Sequence, residues 1–235
     1  MGLKSIFYHW LGWINQFLRV NTSLAPTFYR RALNSNTEDP SPYGRLGYLT
    51  LVEGDFPEAK RLLRKARELD AQNPEVAENL ALAYMHLGDY QQALATVKEA
   101  ISLAPNSARA HAIQGLVLSR LGRLKDAEQA LNHALRLNPK DDLACSHLGE
   151  LYLRQQQYDR AYRFLSKAIK LNPKNPDSHY WMGCLNAARG RTSQARRNLE
   201  VALARKDKQD YLSDVTADRI LEKLAEVRQS EMKTQ

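Results

Sequence analysis

Along residues 75–87 the apolar positions Val76, Leu80, Leu82, Ala83 and Leu87 recur at intervals that keep most of them on one side of a helix. Gly88 then supplies a left-handed stop. A second amphipathic run, residues 91–103, turns Ala93, Leu94, Val97, Ala100 and Ile101 inward and ends where Pro105 cannot continue it. The pair predicts a helical hairpin, and the hairpin recurs. A shift of 34 residues aligns Ala59, Ala93, Ala127, Ala161 and Ala195, then Ala66, Ala100, Ala134, Ala168 and Ala202, then Leu69, Leu103, Leu137 and Leu171. Glycines keep the register at Gly54, Gly88, Gly122 and Gly190, with Gln156 as the lapse, and prolines at Pro105, Pro139 and Pro173. This period and punctuation predict a helix-turn-helix solenoid. Only a methyl fits where two helices cross at short range, so Ala93 and Ala100 read as points of close approach, beside the larger Leu80, Tyr84 and Val97.

Within each period, Leu46-Gly47, Leu80-Ala81, Leu148-Gly149 and Met182-Gly183 occupy one place, and Gln114-Gly115 keeps only its glycine. Tyr84 and Tyr152 follow four residues on, where Thr50, Leu118 and Asn186 depart from tyrosine, and Leu63, Val97, Leu131, Leu165 and Leu199 take a bulky place. This pattern resembles the tetratricopeptide repeat (TPR) family. The resemblance implies an all-α, right-handed helix-turn-helix solenoid with five repeats, 40–73, 74–107, 108–141, 142–175 and 176–209.

Residues 1–39 precede these repeats as an amphipathic helix and a degenerate repeat. Leu3, Ile6, Phe7, Trp10, Leu11, Trp13, Ile14, Phe17 and Leu18 cover one broad side of the predicted helix, and no acidic residue occurs before Glu38. One reading is a packed cap, since Ala25, Tyr29 and Ala32 keep the spacing of Ala59, Leu63 and Ala66, and Tyr8, Leu11 and Gly12 keep an aromatic and Leu-Gly spacing shifted by one. The others are a face for a membrane or partner, or a cleaved targeting segment. At the other end, residues 210–235 form a predicted capping helix and tail, with Asp218, Glu222 and Glu226 toward water and Arg219–Glu222 or Lys223–Glu226 pairing along its surface.

With 235 residues, 43% hydrophobic and 26% charged, the chain can bury a core that stacking neighbours share along the repeats. Cys145 and Cys184 form no spaced framework, and no stretch reaches the apolar length needed to cross a bilayer, so a cytoplasmic location, peripheral to a membrane in the alternative, is expected. The net charge of +8 is unevenly distributed, with repeat 74–107 acidic and repeat 176–209 rich in Arg189, Arg191, Arg196, Arg197, Arg205, Lys206 and Lys208. No ladder of aromatics accompanies the basic run, which disfavours nucleic acid as a partner.

No catalytic residue, cofactor or metal is expected. The chain contains no His-Glu-x-x-His, no Cys-x-x-Cys and no nucleophile with a recognisable base. His111, Cys145 and His179 share a column but fall in successive repeats, roughly 10 Å apart by helix packing, too far to presume one zinc site. In TPR proteins the first helix of each repeat lines the concave side. The resemblance places there Arg45, Tyr48, Asn79, Leu82, Met85, His86, Arg109, Ile113, Leu116, Arg120, His147, Leu153, Arg154, Tyr180, Trp181 and Cys184. Asn79 and Arg109 echo two positions of a carboxylate clamp, but Gly44, Tyr48 and Ile113 occupy the others, so chaperone-type clamp binding is not expected. The expected function is a non-enzymatic protein–protein interaction scaffold that binds a partner peptide or helix in the concave groove. A partner with acidic and apolar residues is expected, engaged by Arg120 and Arg154 from one column. The alternative is a membrane-associated complex or organelle assembly scaffold docked through the N-terminal helix, with self-association also open.

Overall fold

The protein is described here by a computed structural model that covers residues 3–18, 24–35, 38–206 and 215–233. Among the described residues there are thirteen helices and no strand, and the fold is an all-α repeat solenoid. The helices divide between two compact units, residues 1–105 and 106–235.

The first unit holds α1 (Leu3–Leu18), α2 (Ala25–Ser35), α3 (Pro40–Glu53), α4 (Phe56–Leu69), α5 (Pro74–His86) and α6 (Tyr90–Leu103). They pack as the hairpins α1/α2, α3/α4 and α5/α6, and α2 meets α3 as α4 meets α5. The second unit holds α7 (Ala108–Arg120), α8 (Leu124–Leu137), α9 (Asp142–Arg154), α10 (Tyr158–Leu171), α11 (Pro176–Ala188), α12 (Thr192–Arg205) and α13 (Ala217–Lys233). Its hairpins are α7/α8, α9/α10 and α11/α12, with α13 packed against α12 and, more lightly, α11.

Each hairpin closes through one small-against-large contact. A Cβ added to Gly47 would lie 2.7 Å from Leu63 Cγ, one on Gly115 2.6 Å from Leu131 Cγ, and one on Gly183 2.7 Å from Leu199 Cγ. Gly149 meets Leu165 in the same way. In the α5/α6 hairpin the repeat register sets Ala81 and Val97 in these two places, so a methyl gained on one helix accompanies a carbon lost on the other. At α1/α2 the opposite substitution occurs, and Gly12 faces the ring of Tyr29, with a built Cβ 2.6 Å from Cε1. The alanine columns at 59, 93, 127, 161, 195 and at 66, 100, 134, 168, 202 are fully buried. The Gly–Leu pairs are close approaches as well, and a Cβ built on Gly115 or Gly183 would also lie 3.3 Å from the backbone oxygen of Ala127 or Ala195.

Joints between successive hairpins add polar ties. The Tyr152 hydroxyl on α9 donates to Glu128 on α8 at 2.7 Å, and Asn172 and Asn175 both donate to Asp142 at 3.0 and 2.8 Å. In the first unit Arg67 pairs with Glu99 at 2.6 Å. Turns inside the hairpins use left-handed residues: Gly54, Gly88, Gly122 and Gly190 have φ of 70–85°, and Gln156 reaches φ 57°.

Three substitutions test this packing and its turns. Gly115→Ala should cost about 1–3 kcal/mol, because its methyl overlaps Leu131. Adding Leu131→Val, which copies the Ala81/Val97 combination, should recover part of that loss in denaturant unfolding; strictly additive losses would remove the size-matching account. Gln156→Gly should raise stability by about 0.5–1 kcal/mol, since glycine adopts the left-handed turn without the Cβ clash. An unchanged or lowered melting midpoint would show that the turn is not strained.

Candidate functional site

The first helices of the second unit are phased by their caps. Ser107 accepts from Ala110 N at 3.1 Å, Asp141 from Ala144 N at 2.9 Å, and Asn175 from Asp177 N and Ser178 N at 2.9 and 3.3 Å. Asp39 and Asn73 cap α3 and α5 in the first unit, so the capping residues themselves recur every 34 positions. Satisfying the orphan N–H groups in this way fixes where each helix starts, and hence which residues it turns toward its neighbours.

Glu150 is the electrostatic centre of the α7–α9 face. It is 3% exposed, with Arg154 Nη2 at 2.6 Å, Arg120 Nη1 at 3.2 Å and His147 Nδ1 at 3.5 Å. Burial alone would raise its pKa, but His147, Arg120 and Arg154 outweigh burial and hold the carboxyl at about 2. Arg120 and Arg154, the two cations expected to meet an acidic partner, both belong to this network. The register does bring the two guanidinium groups together, but they converge on a carboxylate of their own chain, and the Arg120 side chain is only 14% exposed.

Beyond this network, Tyr180 and Trp181 on α11 meet edge-to-face with centroids 4.8 Å apart. Arg219 on α13 lies 5.4 Å from the Tyr180 centroid and 5.1 Å from that of Trp181, within cation–π range. The expected Lys223–Glu226 pair forms on the same helix. Between α11 and α13 opens a cleft of about 790 Å³ whose walls include Leu153, Tyr180, Cys184, Ala187, Arg219 and Val227. Burial pushes the Cys184 thiol up, against smaller opposing effects of the Tyr180 hydrogen bond and of Lys223 and Arg219, so it is not an activated nucleophile.

The other expected groove residues divide by exposure. In the first unit Leu82 is fully buried and Asn79 and Met85 nearly so, while His86 stacks on Phe56 at 4.2 Å and Arg45 and Tyr48 are half-buried. In the second unit Ile113, Leu116, His147, Tyr180 and Trp181 are almost closed to solvent, Arg109, Leu153 and Cys184 are half-buried, and Arg154 is exposed. The closed residues, Leu82 above all, act as packing in this conformation; Leu153, Cys184 and Arg154 reach the surface. Sequence reasoning passed over Glu150 and the caps, and gave Arg219 only a surface pairing with Glu222. Glu150 and the caps had a readable signal: Glu150 is an acid in a column otherwise filled by Tyr48, Leu82, Leu116 and Cys184, and the caps form their own polar column.

Three cations of the basic run of α12 and its flanks enter internal ion pairs, and Lys208 lies outside the described residues. Arg189 meets Asp159 at 2.6 Å, Arg196 meets Glu200 at 3.6 Å, and Lys206 meets the buried Asp177 at 3.6 Å. Of the histidine and cysteine column, His111 stacks on His133 at 4.1 Å, His179 Nε2 lies 2.9 Å from Arg205, and Cys145 is fully buried. Among the described residues no group of three His, Cys, Asp or Glu side chains is placed to hold a metal ion, and no helix is long and apolar enough to cross a membrane.

A depressed carboxyl pKa stabilises the fold above the ordinary carboxylate range, and the contribution fades as pH falls through the folded value. Glu150→Gln should thus cost about 2–3 kcal/mol near neutrality. The gap from the parent protein should narrow as pH falls from about 5 toward about 2. Urea titrations of both proteins across this window test it, and a gap independent of pH would show that the loss is one of shape, not charge.

Comparison with known proteins matches this architecture. The model for the C-terminal domain of cilia and flagella-associated protein 70, a TPR domain, matches residues 14–217. No curated protein matches the chain. A thermophilic TPR protein of Thermus thermophilus superposes with a TM-score of 0.69 at 21% identity, covering 82% of this chain and 99% of its own. A tetratricopeptide repeat protein from Parabacteroides merdae gives a TM-score of 0.77 at 16% identity, covering 95% and 84%. YrrB, described as a TPR protein with an unusual peptide-binding site, gives 0.52 at 22%, covering 78% and 95%. With a family model spanning most of the sequence and the same helical hairpins in these structures, the chain belongs to the tetratricopeptide repeat family.

Proposed function

We propose that this chain is a non-enzymatic protein–protein interaction scaffold whose second unit holds a segment of a partner protein against α9 and α11, in the cleft beside α13. The observation that carries this reading is the cleft itself. Its walls combine apolar surface from Leu153, Ala187 and Val227 with oriented polar groups from Tyr180 and Arg219, the mixture that a binding site needs for affinity and orientation. The peptide-binding site named for YrrB supports the same use of the fold.

The partner's chemistry shifts with the geometry. Because Arg120 and Arg154 are engaged by Glu150, an extended acidic run has no paired cations to follow. An apolar side chain seated beside Leu153 and Ala187, with one carboxylate near the exposed flank of Arg154, fits better. Binding of that kind should persist through moderate salt. Arg45, Tyr48, Asn79, Met85 and His86 in the first unit and Arg109 in the second remain proposed contacts of their own first-helix faces, while Leu82 in the first unit and Leu116, His147 and Trp181 in the second are buried.

A photo-crosslinking residue at position 187 would capture and map the bound segment. Leu153→Glu places a charge in the cleft wall and should weaken the mapped segment's binding at least tenfold without shifting the melting midpoint. Lys170→Glu, on the exposed side of α10, should leave binding unchanged. Equal affinity of the Leu153→Glu variant would exclude the cleft as the binding site.

A further inference from the structure

The hairpin α1/α2 displays a second surface whose chemistry differs from that of the cleft. The inner side of α1 is pinned. Gly12 sits on the ring of Tyr29, the His9 ring lies 5.8 Å from the same ring, and the buried Ser5 hydroxyl is 3.4 Å from Asp39. These contacts fix the rotation of α1, which leaves Ile6, Phe7, Trp10 and Trp13 between 40% and 55% exposed. Positions 6, 10 and 13 follow one another along a helix face, with 7 beside them. Four large apolar side chains displayed together by a packed helix are not accounted for by folding within the unit.

The charge carried by the hairpin itself is basic, and the acids that follow it are Glu38, which is exposed, and Asp39, which is buried against Ser5. Residues 1–37 contain Lys4, Arg19, Arg30 and Arg31 and no acid, and Lys4, Arg30 and Arg31 are exposed. We infer that the outer face of α1 is a docking site for an anionic phospholipid surface, with Phe7, Trp10 and Trp13 entering the headgroup region and the cations meeting lipid phosphates. Aromatic side chains with an apolar body and a polar edge favour that depth, and apolar insertion adds to attraction by basic residues. A symmetric contact between two copies through this face would oppose the same cations to one another, which electrostatic complementarity disfavours. A targeting segment that folds only on the bilayer differs too, because here the helix is already held by Tyr29. The inference is independent of the partner reading for the cleft.

The test uses the full chain with vesicles of phosphatidylcholine alone and of phosphatidylcholine mixed with phosphatidylglycerol. Flotation should recover the protein with the mixed vesicles at low salt and at least tenfold less with the neutral ones. Tryptophan emission should shift to the blue on binding. The shift should vanish in W10F/W13F, which leaves the buried Trp181 as the sole indole. Phe7→Ser with Trp10→Ser, both at exposed positions, should reduce partition tenfold or more while leaving the melting midpoint unchanged. Lys4→Glu with Arg31→Glu should remove the preference for the anionic mixture. No flotation with anionic vesicles, or equal flotation of the F7S/W10S protein, would overturn the proposal. So would equal binding to both vesicle types, or a dimer seen by sedimentation that F7S/W10S dissolves in place of lipid binding.

Discussion

The closest contact in each hairpin, glycine on the first helix against leucine on the second, is the constraint on which the remaining geometry depends. A leucine seated where no Cβ intervenes draws two helix axes together, and every other side chain of the pair must fit the separation so set. The alanine columns fit that separation, since Ala127 and Ala195 are fully buried and a Cβ built on Gly115 or Gly183 would lie 3.3 Å from their backbone oxygens. Ala81 with Val97, and Gly12 with Tyr29, keep the small-against-large logic while changing its members. A family pattern that looks degenerate residue by residue is therefore conserved as a relation between two positions within this one chain.

Once the hairpins are fixed, the first helices carry a face whose polar content is constrained by burial. A carboxylate as enclosed as that of Glu150 is tolerated only with counter-charges in contact, and Arg120 and Arg154 supply them from one helix before and one turn after. This arrangement ties α7 to α9 with directional contacts that apolar packing lacks. It also alters how the face can be used. Arg120 and Arg154 meet a carboxylate of their own chain, and the recognition surface we propose is the cleft wall, where Leu153 and Ala187 adjoin Tyr180 and Arg219.

The fold was legible because its signals are periodic. Alanines, turn glycines and bulky second-helix residues each repeat every 34 positions, so one readable hairpin, residues 74–107, extends to the others. Even the lapse at Gln156 lies in a left-handed turn, where the period rather than the residue type predicts the backbone. The site was legible only in part. The family resemblance placed Arg120, His147, Arg154 and Trp181 on one side of the first helices, but it carries no information on depth, and His147 and Trp181 are nearly closed to solvent. Nor could it reveal that Arg219, outside the repeats, lies over Tyr180 and Trp181, since that contact depends on how α13 packs on α11 and α12.

Helices α1 and α13 show how the same packing rule yields opposite surfaces. On α13, Val215 just before it and Ile220, Leu224 and Val227 within it are buried, while Asp218, Glu222 and Glu226 are exposed, so an amphipathic helix covers apolar surface with a charged exterior. On α1 the buried side is made by Ser5 and Gly12, two of its smallest residues, and large apolar residues occupy the exterior. A helix needing only to shield Tyr29 and its neighbours would have the reverse distribution. Tight packing through Gly12 secures α1, and Phe7, Trp10 and Trp13 stay 40–55% exposed, which is the basis of the docking face we infer.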